Sequence, residues 1–132
     1  MIEKREYSGK DYPFQDEVNQ IIGICIDVHK TLGKGFLEVV YKDAMEIEFK
    51  KANIQFEREK EYNIIYKGVQ LNHNFYADFV VLDKIIIEVK AQKNIIEESG
   101  KQILNYLAVS KCKLGVLINF GEDIIKVKKY IL

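Results

Sequence analysis

Apolar residues between Val18 and Leu32 recur at helical spacing, with Ile21, Ile22, Cys25 and Val28 on one stripe. The pattern predicts an amphipathic helix that stops at Gly33. Pro13 is placed for its first turn, after a polar lead-in over residues 1–13. Gly33-Lys34-Gly35 breaks the helix, and Leu37, Val40, Tyr41, Ala44, Met45 and Phe49 outline a second one. From Ile54 the period changes to two: Ile54 and Phe56, then Tyr62, Ile64 and Tyr66, alternate with polar neighbours up to the turn at Gly68, as strands do. The runs FYADFVVL (75–82) and IIIEVKA (85–91) are β-branched and aromatic and predict a hairpin at the centre of a sheet. A third helix is expected over about 97–110, with Glu97 and Glu98 at its positive end and Ile103, Leu104 and Leu107 facing inward. LGVLINF and IIKVKKYI then close the chain as two strands around Gly121. The expected order is α-α-β-β-β-β-α-β-β. With no internal repeat, low-complexity tract or linker, residues 1–132 read as one α/β domain.

Composition narrows the class. The 132 residues are 48% hydrophobic and 30% charged with a single proline, which suits a globular core and excludes disordered and collagen-like chains. Lys and Arg number 20 and Asp and Glu 20, so the net charge is zero. That balance argues against a surface that is cationic throughout, and any contact with nucleic acid has to be local. Two cysteines, Cys25 and Cys112, are too few for a disulfide scaffold or a four-ligand zinc site and read as buried hydrophobes in a reducing compartment. The charged start MIEKREYSGKDYPFQDE does not resemble a signal peptide, and no segment has the length of a membrane span. The expected location is cytoplasmic, with no membrane partner.

Charge inside the apolar runs is the informative departure. Asp78 interrupts one strand of the central hairpin, and Glu88 and Lys90 interrupt the other. Burying such groups costs several kcal/mol unless they are paired or hold a metal. Glu88 and Lys90 alternate onto one face, about 6.6–7 Å apart, a spacing that suits one small site. Whether Asp78 joins them depends on register. A two-residue loop Asp83-Lys84 sets Asp78 opposite Val89 and splits the site, whereas a three-residue loop Leu82-Asp83-Lys84, or a bulge, sets it opposite Glu88. The convergent register is the expectation. Two neighbouring carboxylates call for a cation, and oxygen ligands suit Mg²⁺ or Mn²⁺ better than zinc. A lysine beside that cation can orient a water and offset charge on a phosphate, the chemistry of metal-assisted phosphodiester hydrolysis. The plain alternative is a solvated strand face with a cross-strand pair worth about 0.2–1 kcal/mol, since E-x-K also arises at Glu48-Phe49-Lys50 on the second helix.

From roughly Phe14 to Ile131 the chain resembles the GxxExxY proteins of the PD-(D/E)xK nuclease-like superfamily. The naming motif stands as Gly35-Phe36-Leu37-Glu38-Val39-Val40-Tyr41, preceded by VHKTLGKG, and further matches are YADFVV, IIIEVKA, QILNYL and LGVLINFG. The resemblance implies a restriction-endonuclease-like core, a mixed sheet flanked by helices, in which Asp78, Glu88 and Lys90 match the D…(D/E)xK core. It implies Glu38 as an added acidic residue, and Gln102 with Tyr106 as a QxxxY helix that orients Lys90 or the substrate. Ala77 stands where the superfamily name has proline, which leaves the Asp78 ligand in place. Some branches carry a metal-binding histidine on the first helix, which makes His29 a further candidate ligand beside Asp78, Glu88 and Glu38. Glu38 and Tyr41, three apart on a helix, share a face, as do Gln102 and Tyr106. His29 has the ordinary reading of a hydrogen-bonded structural residue, Glu38 that of a first-turn glutamate, and Gln102 and Tyr106 those of a solvated helix position and a half-buried tyrosine.

Gly33 and Gly35 are expected to take positive φ in the interhelical turn and so to set where Glu38 points. Lys30, Lys34, Lys93, Lys101, Lys111 and Lys113 are phosphate-contact candidates if they cluster, and scattered solubilising charge otherwise. The expected activity is a nuclease of DNA or RNA dependent on Mg²⁺ or Mn²⁺, using one or two metals. The alternative is a catalytically silent nucleic-acid- or protein-binding module on the same fold. A homodimer or partner protein is a possible source of further contact surface.

Overall fold

A computed structural model of the chain describes residues 5–7, 12–95 and 97–132; most of the polar lead-in, residues 1–4 and 8–11, lies outside the described residues. Helix α1 (Gln15–Leu32) buries Val18, Ile21, Cys25 and Val28, the stripe expected from the sequence. Pro13 lies just before the helix rather than in it, and Phe14 takes the N-cap position with φ 61°. Acidic Asp16 and Glu17 open the helix and basic His29 and Lys30 close it, each sign matched to its end of the dipole. Gly33, at φ 73°, ends the helix by donating its N–H to the His29 carbonyl.

Helix α2 (Glu38–Lys51) buries Tyr41, Met45 and Phe49. Leu37, expected on that stripe, instead sits at the N-cap position, exposed. The link between the helices explains the spacing of its motif. Gly33 and Gly35 both take positive φ, as expected, and the Tyr41 hydroxyl donates to the Gly33 carbonyl at 2.6 Å while accepting from the Phe36 N–H at 3.3 Å. Tyr41 also stacks on Phe120 with 4.5 Å between centroids. Tyr41 is therefore a fully buried buckle for the turn that starts α2 at Glu38, and its hydroxyl is not available to a site.

Strands β1 (Arg5–Tyr7), β2 (Phe56–Tyr66), β3 (Val69–Val81), β4 (Ile85–Lys90), β5 (Leu114–Asn119) and β6 (Lys126–Ile131) form one mixed sheet in the order β1-β6-β5-β4-β3-β2. The expected element order holds, with the stretches around Phe56 and Tyr62 joined into one strand and β1 added from the lead-in. Tyr66 stays exposed at the far end of the β2–β3 hairpin, where the register shifts after Asn63. Strands β4 and β5 are the parallel pair, joined through α3 (Glu97–Ser110), and are the most buried strands. Parallel strands covered on both faces read as continuous apolar runs, which is how these two look in the sequence.

Two apolar layers result. Helices α1 and α2 pack with Phe79, Val81, Ile87, Val89 and Val116 on one face of the sheet. Helix α3 packs Ile103, Leu104 and Leu107 against Ala77, Val80, Ile86 and Leu117 on the other. Cys25 and Cys112 are free and buried. Among the described residues no helix is long and apolar enough to cross a membrane.

Beyond β5, Gly121 passes so close to the end of β4 that a Cβ there would lie 2.2 Å from the Gln92 carbonyl oxygen, a backbone atom that cannot swing aside. Gly121→Ala is expected to destabilise the fold by roughly 2–3 kcal/mol, read from the urea midpoint at constant m. An unchanged midpoint would show that the two segments part freely.

Candidate active site

The β3–β4 turn has the three-residue form. Leu82, Asp83 and Lys84 connect the strands, the Lys84 N–H donates to Val81 O at 3.1 Å, and the pairs are Val81–Ile85, Val80–Ile86 and Phe79–Ile87. That register puts Asp78 beside Glu88. Past Phe79–Ile87 the regular pairing gives way to side-chain bonds: the Asp78 N–H donates to Glu88 Oε1 at 3.3 Å, and the Val89 N–H donates to Asp78 Oδ2 at 2.8 Å.

Asp78 is also where β3 changes faces. Phe79 and Val81 belong to the layer under α1 and α2, whereas Ala77, an odd-numbered neighbour, packs with Val80 under α3. Strict alternation would keep Ala77 with Phe79, so the pleat reverses at Asp78. On the adjacent strand, Glu59 lies between the pairs Arg58–Phe79 and Lys60–Ala77 and has φ 55°. A non-glycine residue held there stores about 1–3 kcal/mol of strain, which is typical of functional positions.

The two carboxylates differ in surroundings. Glu88 is 5% exposed, and burial first, then the Asp78 charge, pushes its pKa up to about 9, with Lys90 pulling the other way. Asp78 Oδ1 is 3.1 Å from the Lys42 ammonium, which also pairs with Glu59. Burial would lower the Lys42 pKa, but its bonds to Glu59 and Asp78 and their charges reverse this, so it is raised.

Lys90 ends β4 two residues beyond Glu88, half-buried and, among the described residues, without an ion pair. Tyr106 of α3 stacks on Phe75 at 4.0 Å. Its pKa is raised by burial and then by the charges of Glu88 and Asp78, while a hydrogen bond with the exposed Gln102 opposes the shift. Tyr106 thus lies within electrostatic reach of both carboxylates, with Gln102 beside it.

Glu38 lies in an adjoining open cleft of about 440 Å³, lined by Phe36, Leu37, Val39, Lys42 and Ala91, the residue after Lys90. It shares this cleft with Lys42, the partner of Asp78, and bonds to neither carboxylate. Among the described residues no three His, Cys, Asp or Glu side chains gather as a metal-binding group. Lys42, four residues after Glu38 and so on the same face of α2, stands at Asp78 instead.

His29 is placed elsewhere. Its Nε2 donates to the Glu122 carbonyl at 2.9 Å, its ring lies 6.1 Å from that of Phe120, and it lines a separate hollow with Ile22 and Ile26. This is the structural role that a histidine beside an apolar stripe ordinarily has. The six candidate lysines do not form one edge. Lys34, paired to Asp123, and Lys93 meet with Lys126 at one polar cleft, Lys30 lines the hollow at His29, and Lys101 pairs with Glu97.

Three residues were not singled out in the sequence. Lys42 was discoverable from its spacing to Glu38, but Glu59 looks like any outward strand glutamate. Asn119, fully buried, accepts from the Gln92 and Gly121 N–H groups and donates to Gln92 O and Glu122, pinning the chain just beyond Lys90. An asparagine ending an apolar strand before Phe-Gly was its signal.

An Asp–Glu pair in which Glu88 is buried and Asp78 partly buried, with oxygen donors alone, fits a hard divalent cation, which would offset the Asp78 charge that adds to burial in raising the Glu88 pKa. Neither the curated proteins nor the solved structures contain a significant match to this chain. The sequence model described as the PD-(D/E)XK nuclease superfamily, by contrast, matches residues 15–130, with Asp78, Glu88 and Lys90 inside that span, and the chain belongs to that superfamily.

Proposed function

We propose that this protein is a metal-dependent nuclease that hydrolyses phosphodiester bonds of DNA or RNA. The observation that carries the reading is the Asp78–Glu88 contact across the β3–β4 hairpin, with Lys90 on the same strand two residues on. Asp78 and Glu88 would hold Mg²⁺ or Mn²⁺, with Glu38 reaching it directly or through water from the adjoining cleft. When bound, the cation supplies Lewis acidity toward a phosphoryl oxygen and makes water a better nucleophile at neutral pH.

The remaining roles fall to the chain itself. The Lys90 ammonium orients the attacking water and offsets the negative charge that develops on the phosphoryl group. Tyr106, braced by its stack on Phe75, is a positioning residue on the α3 side, and Gln102 aims its hydroxyl. The glycine turn buckled by Tyr41 sets the start of α2, which supports assigning the chain to the GxxExxY group within the superfamily.

One observation favours the silent binding module: Lys42, a cation of the chain itself, pairs with Asp78. Incubation of single- and double-stranded DNA and RNA with the protein and Mn²⁺ separates the readings. Cleavage of at least one substrate, stopped by chelation and absent from Asp78→Asn, is the expected result. Equal residual cleavage in both proteins would mark a contaminant and leave the module.

A further inference from the structure

The cation at Asp78 is part of the chain. Lys42 is brought in by α2, its side chain only 12% exposed, with its ammonium 3.1 Å from Asp78 Oδ1. That is the free oxygen of the carboxylate, since Oδ2 is engaged by the Val89 N–H. The same ammonium reaches Glu59, whose side chain is 47% exposed and whose backbone holds a positive φ in mid-strand. Lys42 therefore has two carboxylates, one partly buried beside Glu88 and one at the rim, and a strained residue supplies the second.

We propose that Lys42 is a displaceable stand-in cation: it neutralises Asp78 until a divalent cation binds at Asp78 and Glu88, which drives it off Asp78 and leaves it on Glu59, the partner it already has. The inference rests on the reading that these two carboxylates hold the metal. Two positive groups cannot share Oδ1, and a half-buried ammonium cannot be left bare, so release from Asp78 requires another counter-ion nearby. Glu59 meets that need without moving α2. Lys42 is then a positioning residue that sets how much metal is needed to open the site, while keeping Asp78 compensated until the metal arrives.

Mn²⁺ binding, measured by calorimetry and by electron paramagnetic resonance without nucleic acid, tests this. Lys42→Met is expected to bind Mn²⁺ about tenfold more tightly than wild type, with a larger Mn²⁺-induced rise in Tm. Glu59→Gln is expected to bind it several-fold more weakly, and to have no effect when Lys42 is already Met. Lys42→Gln keeps a polar side chain without the charge and is expected to behave like Lys42→Met, which covers misfolding of the apolar variant. A purely structural lysine would not tighten metal binding when removed. Unchanged or weaker Mn²⁺ affinity in both Lys42 variants would overturn the proposal alone. Absence of Mn²⁺ binding in wild type and all variants would overturn the metal-site reading and the proposal with it.

Discussion

Lys90→Ala is expected to lower metal-dependent cleavage by about a thousandfold, nearly all of it in kcat. The ammonium acts on a water and on charge that appears only as the phosphoryl group reacts, so its loss removes transition-state stabilisation and leaves ground-state binding almost intact. Asp78→Asn should reach a similar loss by another route. It halves the charge of the Asp78–Glu88 pair, so part of its defect should return at high Mn²⁺, whereas no metal concentration rescues Lys90→Ala. Single-turnover rates across a Mn²⁺ titration distinguish the two. Activity within a few-fold of wild type for Lys90→Ala would remove this lysine from the chemistry.

The second large effect concerns stability. In the metal-free protein, Glu88→Gln is expected to raise stability at mildly alkaline pH by roughly 2–4 kcal/mol. Glu88 is almost fully buried beside Asp78, and its pKa is pushed from 4.5 to about 9. Between those values the native state keeps a proton that the unfolded chain has released, so stability falls as pH rises. The contribution is complete below pH 4.5 and gone once pH has passed through about 9. Glutamine has no proton to lose, and its variant should lack this slope. Mn²⁺ favours the ionised pair, so adding it at pH 8 should recover wild type and do little for Glu88→Gln. Urea unfolding at several pH values, with and without Mn²⁺, gives the answer; a flat metal-free profile in wild type would contradict the burial argument.

How far the sequence leads is clearest at the β3–β4 hairpin. Side chains on paired strands obey a parity rule, so an odd loop or a bulge was needed to set Asp78 opposite Glu88, and the three-residue turn is the form found. The glycine turn at Gly33 and Gly35 was readable for a similar reason, since few residues tolerate positive φ. The part of Tyr41 was not, because a tyrosine three residues from a glutamate looks equally suited to a site or to a core, and only the return of the chain to Gly33 decides. Lys42 and Glu59 depend on the packing of α2 across β2 and β3, a long-range contact without a periodic signature. His29 was ambiguous because its partner, the Glu122 carbonyl, lies 93 positions along the chain.

The reversal of the pleat at Asp78 leaves the residues on either side of it in different layers, Ala77 under α3 and Phe79 under α1 and α2. Asp78 thus sits where the two cores meet on β3. A change of apolar volume on either side is therefore expected to shift this residue and the aim of its carboxylate at Glu88. The aim of the site is thereby tied to apolar packing on both faces of the sheet.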